Sequence, residues 1–145
     1  MTDQVQLACR IGNTDPTAKI GLEIWLDDTE IYHSEHVVEP VDFLYGFADT
    51  DGDHVLRFVM KNKTAEHTQI NDDGEIVKDS CICIDHLSFD EIEPGQIFID
   101  QAVYEHDFNG TGDPVKDKFY GTMGCNGTVS LAFTTPIYLW LLENM

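Results

Sequence analysis

The sequence predicts an all-β fold, an antiparallel two-sheet sandwich of jelly-roll-like form, and three observations carry that prediction. Apolar side chains recur at every second position in one run after another. The runs are short and are divided by Gly, Asn and Asp clusters. No stretch before residue 136 has the three- and four-residue spacing of an amphipathic helix. Alternation is what a half-buried strand requires, because successive side chains point to opposite faces of a sheet. The 145 residues make one domain, 1–145, and a chain of that length buries roughly 70% of its unfolded surface on folding.

The first run, VQLACRI at 5–11, alternates loosely. IGLEIWL at 20–26 sets Ile20, Leu22, Ile24 and Leu26 on one face, with Gly21, Glu23 and Trp25 on the other. DDT then turns the chain into EIYH. VDFLYGFA at 41–48 groups Val41, Phe43, Tyr45 and Phe47, and HVLRFVM at 54–60 groups Leu56, Phe58 and Met60. Between these two lies DTDGD, which reads as a hairpin connection with Asp51-Gly52 as its turn pair. The turn NDDG at 71–74 leads into EIVKDSCICIDHLSF. QIFIDQAVY at 96–104 and KFYGTM at 118–123 read as strands, and HDFNGTGDPVKDK at 106–118 as one long loop. After CNG, Val129, Leu131 and Phe133 alternate cleanly. TTPIYLWLLENM reads as a buried last strand entered through a proline; a helix with Thr135 as cap and Pro136 at its first position is the alternative.

Charge narrows the function classes. Asp and Glu number 27 against 8 Lys and Arg, a formal net charge of −19. Binding to a phosphate backbone works through clustered Lys and Arg that release counterions, and no such cluster exists, so nucleic acid is excluded as a partner of that kind. An acidic shell suits divalent cations, a basic partner surface, or simple solubility. MTDQVQLACR lacks the basic start and apolar stretch of a signal peptide, so none is expected. The longest apolar run, IYLWLL at 137–142, is too short to span a bilayer, and no membrane insertion is expected. Cys81 and Cys83 stand two apart on one strand face, without the spacing of a zinc knuckle. With Cys9 and Cys125 they are expected as reduced, mostly buried thiols of a protein made in a reducing cytoplasm. The Asn-x-Thr sequons at Asn62, Asn109 and Asn126 read as turn chemistry first.

Two sets of side chains are candidates for binding. Asp49, Asp51 and Asp53 crowd one bend, and Asp107, Asn109 and Asp113 fall in the long polar loop. Brought to one rim, they would supply the oxygens of a Ca2+ site and relieve mutual repulsion. The helical calcium loop is ruled out: with Asp49 as its first position, the sixth is His54 and the twelfth Met60. The second set is aromatic. Trp25 lies opposite the Leu22 and Leu26 face and is the first candidate for a flat platform under a sugar ring, unless it packs beneath a loop; Tyr32, Tyr104 and Tyr120 follow. Catalytic signatures are missing: there is no Gly-x-Ser-x-Gly elbow, no HExxH pair and no phosphate loop. In HSEH at 33–36, Glu35 and His33 share a side, a pair that reads as a surface hydrogen bond first, with a catalytic or metal role as the lesser alternative. The expected protein is not an enzyme.

DGDHVLRFVMKNKTAEHTQINDDGEIVKDSCICIDHLSFDEI (51–92) and FYGTMGCNGTVSLAFTTPIYLWLLENM (119–145) together resemble small proteins of tailed phages of marine bacteria, particularly cyanophages. The hairpin, the HVLRFVMKN strand and the late FDEI also resemble calcium-dependent carbohydrate-binding modules of the jelly-roll kind, with no ligand residue carried over. The phage resemblance implies a virion protein, as head decoration, fibre or tail component, made in the host cytoplasm and assembled with capsid or tail proteins on a symmetric particle. The expected function is a non-enzymatic virion surface or structural protein displaying a binding face for glycans, with calcium in support. Its rivals are a free-standing calcium-assisted carbohydrate-binding module and an acidic DNA mimic that inhibits a host protein.

Overall fold

Alternating strands close their apolar faces against each other in two antiparallel sheets. The computed structural model describes residues 4–14, 19–62, 68–70, 72–73, 76–79, 81–106, 113–124 and 126–144. Strands β1 (Gln4–Asn13), β4 (Val41–Ala48), β8 (Ile82–Phe89) and β11 (Thr122–Met123) make one sheet, ordered β11-β8-β1-β4. Strands β2 (Gly21–Leu26), β3 (Thr29–Ser34), β5 (Gly52–Lys61), β9 (Val103–His106), β10 (Val115–Lys118) and β12 (Gly127–Thr135) make the other, ordered β10-β9-β12-β5-β2-β3. A separate ribbon pairs β6 (Thr68–Ile70) with β7 (Ile76–Asp79). The chain crosses repeatedly from sheet to sheet, which makes the two layers the antiparallel β-sandwich expected of it.

The core is the set of inward positions that alternation predicts. Val5, Leu7 and Ile11 of β1, Leu22 and Ile24 of β2, Leu56, Phe58 and Met60 of β5, and Val129, Leu131 and Phe133 of β12 are all buried. Each such side chain contributes about 1.5–3 kcal/mol of transfer free energy. In β4 only Phe43 and Phe47 are fully inside, while Val41 and Tyr45 stay half-buried. Among the described cysteines Cys9 alone is buried, and burial pushes its thiol up to about 12. Cys81 and Cys83 share a face, as their spacing demands, but it is the outer, half-exposed face beside the buried Ile82 and Ile84; Cys125 lies outside the described residues.

Four expectations are corrected. The C-terminal segment is not a strand but a helix, α2 (Ile137–Glu143), which buries Ile137, Trp140 and Leu141 on one side. Trp140 meets Phe89 and Phe133 with ring centroids 6.2 and 6.1 Å away, so the helix packs on the aromatic core. Thr135 does not cap it. The Thr135 hydroxyl donates to the Thr50 carbonyl, and the Ile137 N–H donates to Asp49 Oδ1 at 2.9 Å. Likewise QIFIDQAVY begins as a short helix, α1 (Gln96–Gln101), and becomes β9 only after Ala102. Short apolar runs carry no decisive period, and the Pro94-Gly95 entry, with Gly95 at φ 57°, starts the helical turn.

The remaining two corrections concern connections. DTDGD does not join paired strands, because β4 pairs with β1 in one sheet while β5 pairs with β12 and β2 in the other. It is an arch between layers rather than a hairpin. The long polar loop is shorter than expected, since Val115–Lys118 forms β10 against β9. Among the described residues no helix is long and apolar enough to cross a membrane.

Candidate functional site

Outward positions of the six-stranded sheet line up in two neighbouring rows. The pairing of β3, β2, β5, β12 and β9 sets His33, Glu23, Val59, Thr128 and Glu105 side by side. Two residues along, it sets Glu30, Trp25, Arg57, Ser130 and Val103 side by side. Paired strands lie about 4.8 Å apart, so the rows form a continuous polar surface on one face. Trp25, Asp27, Asp28, Arg57, Val59, Glu105, Thr128 and Ser130 enclose a trough of ≈ 530 Å³ over the middle of it.

Trp25 is held in place. Its indole Nε1 donates to Glu23 Oε1 at 2.9 Å, which fixes the ring beside the trough. Glu23 points outward by the strand's phase and is nevertheless only 7% exposed, because its neighbours cover it. The Lys61 ammonium closes on Glu23 Oε2. Hydrogen bonds from Lys61 and then Trp25 hold the Glu23 carboxyl below its ordinary value, outweighing the opposing effect of burial. At the far wall, Arg57 Nη1 donates to the Asp27 carbonyl at 3.3 Å.

The edge of this face owes its composition to a β-bulge. The Asp27-Asp28 turn pairs Leu26 with Thr29 and Trp25 with Glu30, but Ile24 then pairs with Tyr32, leaving Ile31 extra. Without the extra residue, Tyr32 would stand opposite Glu23 and His33 would turn inward. With it, Glu30 and His33 share the outer face although they are three residues apart. His33 Nδ1 lies 3.6 Å from Glu23 Oε2 and 3.7 Å from Glu30 Oε1. The carboxylates facing His33 are therefore Glu23 and Glu30, not the Glu35 that sequence spacing proposes. A bulge leaves no sequence signal of its own, which is why this group escapes a reading by alternation.

At the end of the trough, Asp27 Oδ2 lies 2.9 Å from His54 Nδ1, and His54 Nε2 lies 3.1 Å from Thr135 Oγ1. The order acid, imidazole, hydroxyl imitates a nucleophilic triad. However, Thr135 is only 5% exposed and its proton points at the Thr50 carbonyl, so the hydroxyl is engaged in the fold. The chain of contacts ties the β2–β3 turn, β5, β12 and the arch together. Burial pushes the Asp27 carboxyl up, and hydrogen bonds from His54 and the Val55 N–H outweigh it, leaving the group below its ordinary value.

The predicted aromatics do not gather. Trp25 is on the outer face, half-exposed at the trough. Tyr32 packs edge-on against Phe43 at 5.7 Å. Tyr104 is only 7% exposed, with Phe119 at 6.1 Å, and presents no face to a ligand. Tyr120 is 74% exposed but stands at a different cleft, of ≈ 270 Å³, with His86, Glu93 and Phe98. Among the predicted calcium ligands, Asp49 is committed to the start of α2. Asp51 and Asp113 are exposed, as is Asp53, while Asp107 and Asn109 lie outside the described residues. The ligand-type side chains that converge among the described residues are Glu23, Glu30 and His33, within 4.8 Å of one another. Compared with protein-family models, curated proteins and solved structures, the chain matches none.

Proposed function

We propose that this protein is a non-enzymatic virion surface subunit that binds glycans along the outer face of its six-stranded sheet. The observation that carries the reading is Trp25, locked by Glu23 at the side of a polar trough with Arg57, Thr128 and Ser130. A sugar ring lays its C–H face on an aromatic plane and exchanges hydrogen bonds with charged and hydroxyl groups around it. The trough supplies both kinds of group.

Assembly on a larger particle draws support from α2, which turns Tyr138, Leu139 and Leu142 outward at 49, 55 and 67% exposure. An apolar helix face on so acidic a molecule suits docking against a capsid or tail protein. The phage assignment itself rests on the resemblance of residues 51–92 and 119–145. Calcium enters as a support at the exposed Asp51 and Asp53 of the arch. A DNA mimic is less favoured, because Arg57, Lys61 and Lys116 interrupt the carboxylates of this face.

A glycan array read with and without chelator tests the binding face, with Trp25→Ala as the control. Loss of signal in the variant supports the trough, and equal signal in both removes it. Mass spectrometry of purified particles tests the virion role. Absence of the chain from particles, with glycan binding retained, replaces the subunit by a free-standing carbohydrate-binding module.

A further inference from the structure

We infer that Glu23, Glu30 and His33 form a binding site for one zinc-class divalent cation at the β2–β3 edge of the six-stranded sheet. This goes beyond glycan recognition and stands without it. One imidazole nitrogen and two carboxylates are the donor set that zinc and its neighbours prefer. The His33–carboxylate separations of 3.6 and 3.7 Å are too long for hydrogen bonds. They lie close to the edge of a tetrahedron around zinc, about 3.4 Å for bonds of about 2.0–2.1 Å. All three donors lie within 4.8 Å of one another, a span that one ion can close.

The surroundings are those of a positioned ligand set rather than of loose surface charge. The Glu23 side chain is only 9% exposed, and Trp25 Nε1 holds its other oxygen, as outer-sphere donors orient metal-bound carboxylates. The extra Ile31 turns His33 toward Glu23, which the plain hairpin register would not do. Lys61 supplies a cation to Glu23 from a half-exposed, flexible side chain that a divalent ion can displace. Glu30 and His33, at 39 and 47% side-chain exposure, leave the outer side open to water or a fourth ligand. Calcium fits poorly, since it takes six to eight oxygens and this group contains a nitrogen.

Chelator-stripped protein titrated with Zn2+ in a calorimeter tests the site, with the visible spectrum of the Co2+ form reporting its geometry. One ion per chain and tetrahedral Co2+ bands are expected. His33→Ala should weaken zinc by about 100-fold, and Glu30→Gln, at a half-exposed position with little bearing on folding, by about 10-fold or more. Lys61→Met should tighten it several-fold by removing the competing ammonium. Circular dichroism of each variant checks that the fold is intact. No zinc uptake by the wild type, or an unchanged affinity in folded His33→Ala and Glu30→Gln, overturns the assignment. A loss of zinc in Asp51→Asn/Asp53→Asn, with both of those variants unaffected, moves the ion to the arch and overturns it as well.

Discussion

The arch between β4 and β5 and the outer face of β2 and β3 are both rich in carboxylates, and they use them in opposite ways. At the arch, Asp49, Asp51 and Asp53 are neighbours in sequence, yet Asp49 serves the start of α2 and the other two face solvent. On the outer face, Glu23 and Glu30 come from different strands and meet through pairing register, with Trp25, Lys61 and His33 around them. Carboxylates close in sequence stay apart by pointing into water, which costs little. Carboxylates brought together across strands, with one of them buried, need cations and donors to hold them, and those partners give the place its chemistry.

If the arch end of the molecule is structural, its largest effects should appear in stability alone. Trp140→Ala removes the anchor of α2 on Phe89 and Phe133 and should cost about 3–5 kcal/mol in chemical denaturation. Glycan binding by the fraction still folded should be unchanged; a parallel loss of binding would join the two regions functionally. Next in size is Asp49→Ala, which leaves the Ile137 N–H without its acceptor and should cost about 1–2 kcal/mol, against about 0.5 kcal/mol or less for Asp51→Ala. Equal costs would remove the special role of Asp49 at the start of α2, and a rise in melting temperature with Ca2+ that Asp51→Ala abolishes would support the calcium site proposed at the arch.

The outer face should behave the other way round. Trp25→Ala should lower glycan affinity about tenfold, roughly 1.4 kcal/mol, with a small change in stability. A large stability loss with intact binding would make Trp25 a packing residue. The smallest effect is in pH dependence. Glu23 and Asp27 both have folded values below their ordinary 4.5 and 3.8. The unfolded chain therefore binds more protons than the folded one in the acid range, and stability falls as pH drops through those values. The contribution is fully present above about pH 5 and lost progressively below it. Glu23→Gln should flatten the acid limb of melts recorded from about pH 6 to about pH 3. An unchanged slope would mean that Lys61 and Trp25 do not favour the ionised carboxylate.

Several features were legible before any fold was known. Alternation alone identifies the inward faces of 20–26, 54–60 and 129–133, the outward setting of Trp25, and the shared face of Cys81 and Cys83. These follow from the two-residue repeat of extended backbone, which is local and therefore written in the chain. The aromatics were less legible: Tyr104 sits at an inward phase of β9 and joined the core, although its run offered as many polar as apolar neighbours.

What tertiary structure decided is long-range. IYLWLL and QIFIDQ become helical where they pack on the two sheets, because runs of six residues satisfy a helix or a strand equally well until something covers one side. DTDGD became an arch because β4 found β1 and β5 found β2 and β12, choices made by partners more than twenty residues away. Glu23, Glu30 and His33 met because one unpaired residue, Ile31, shifted the register of a hairpin. Local period sets which side chains face outward; only pairing sets which of them become neighbours.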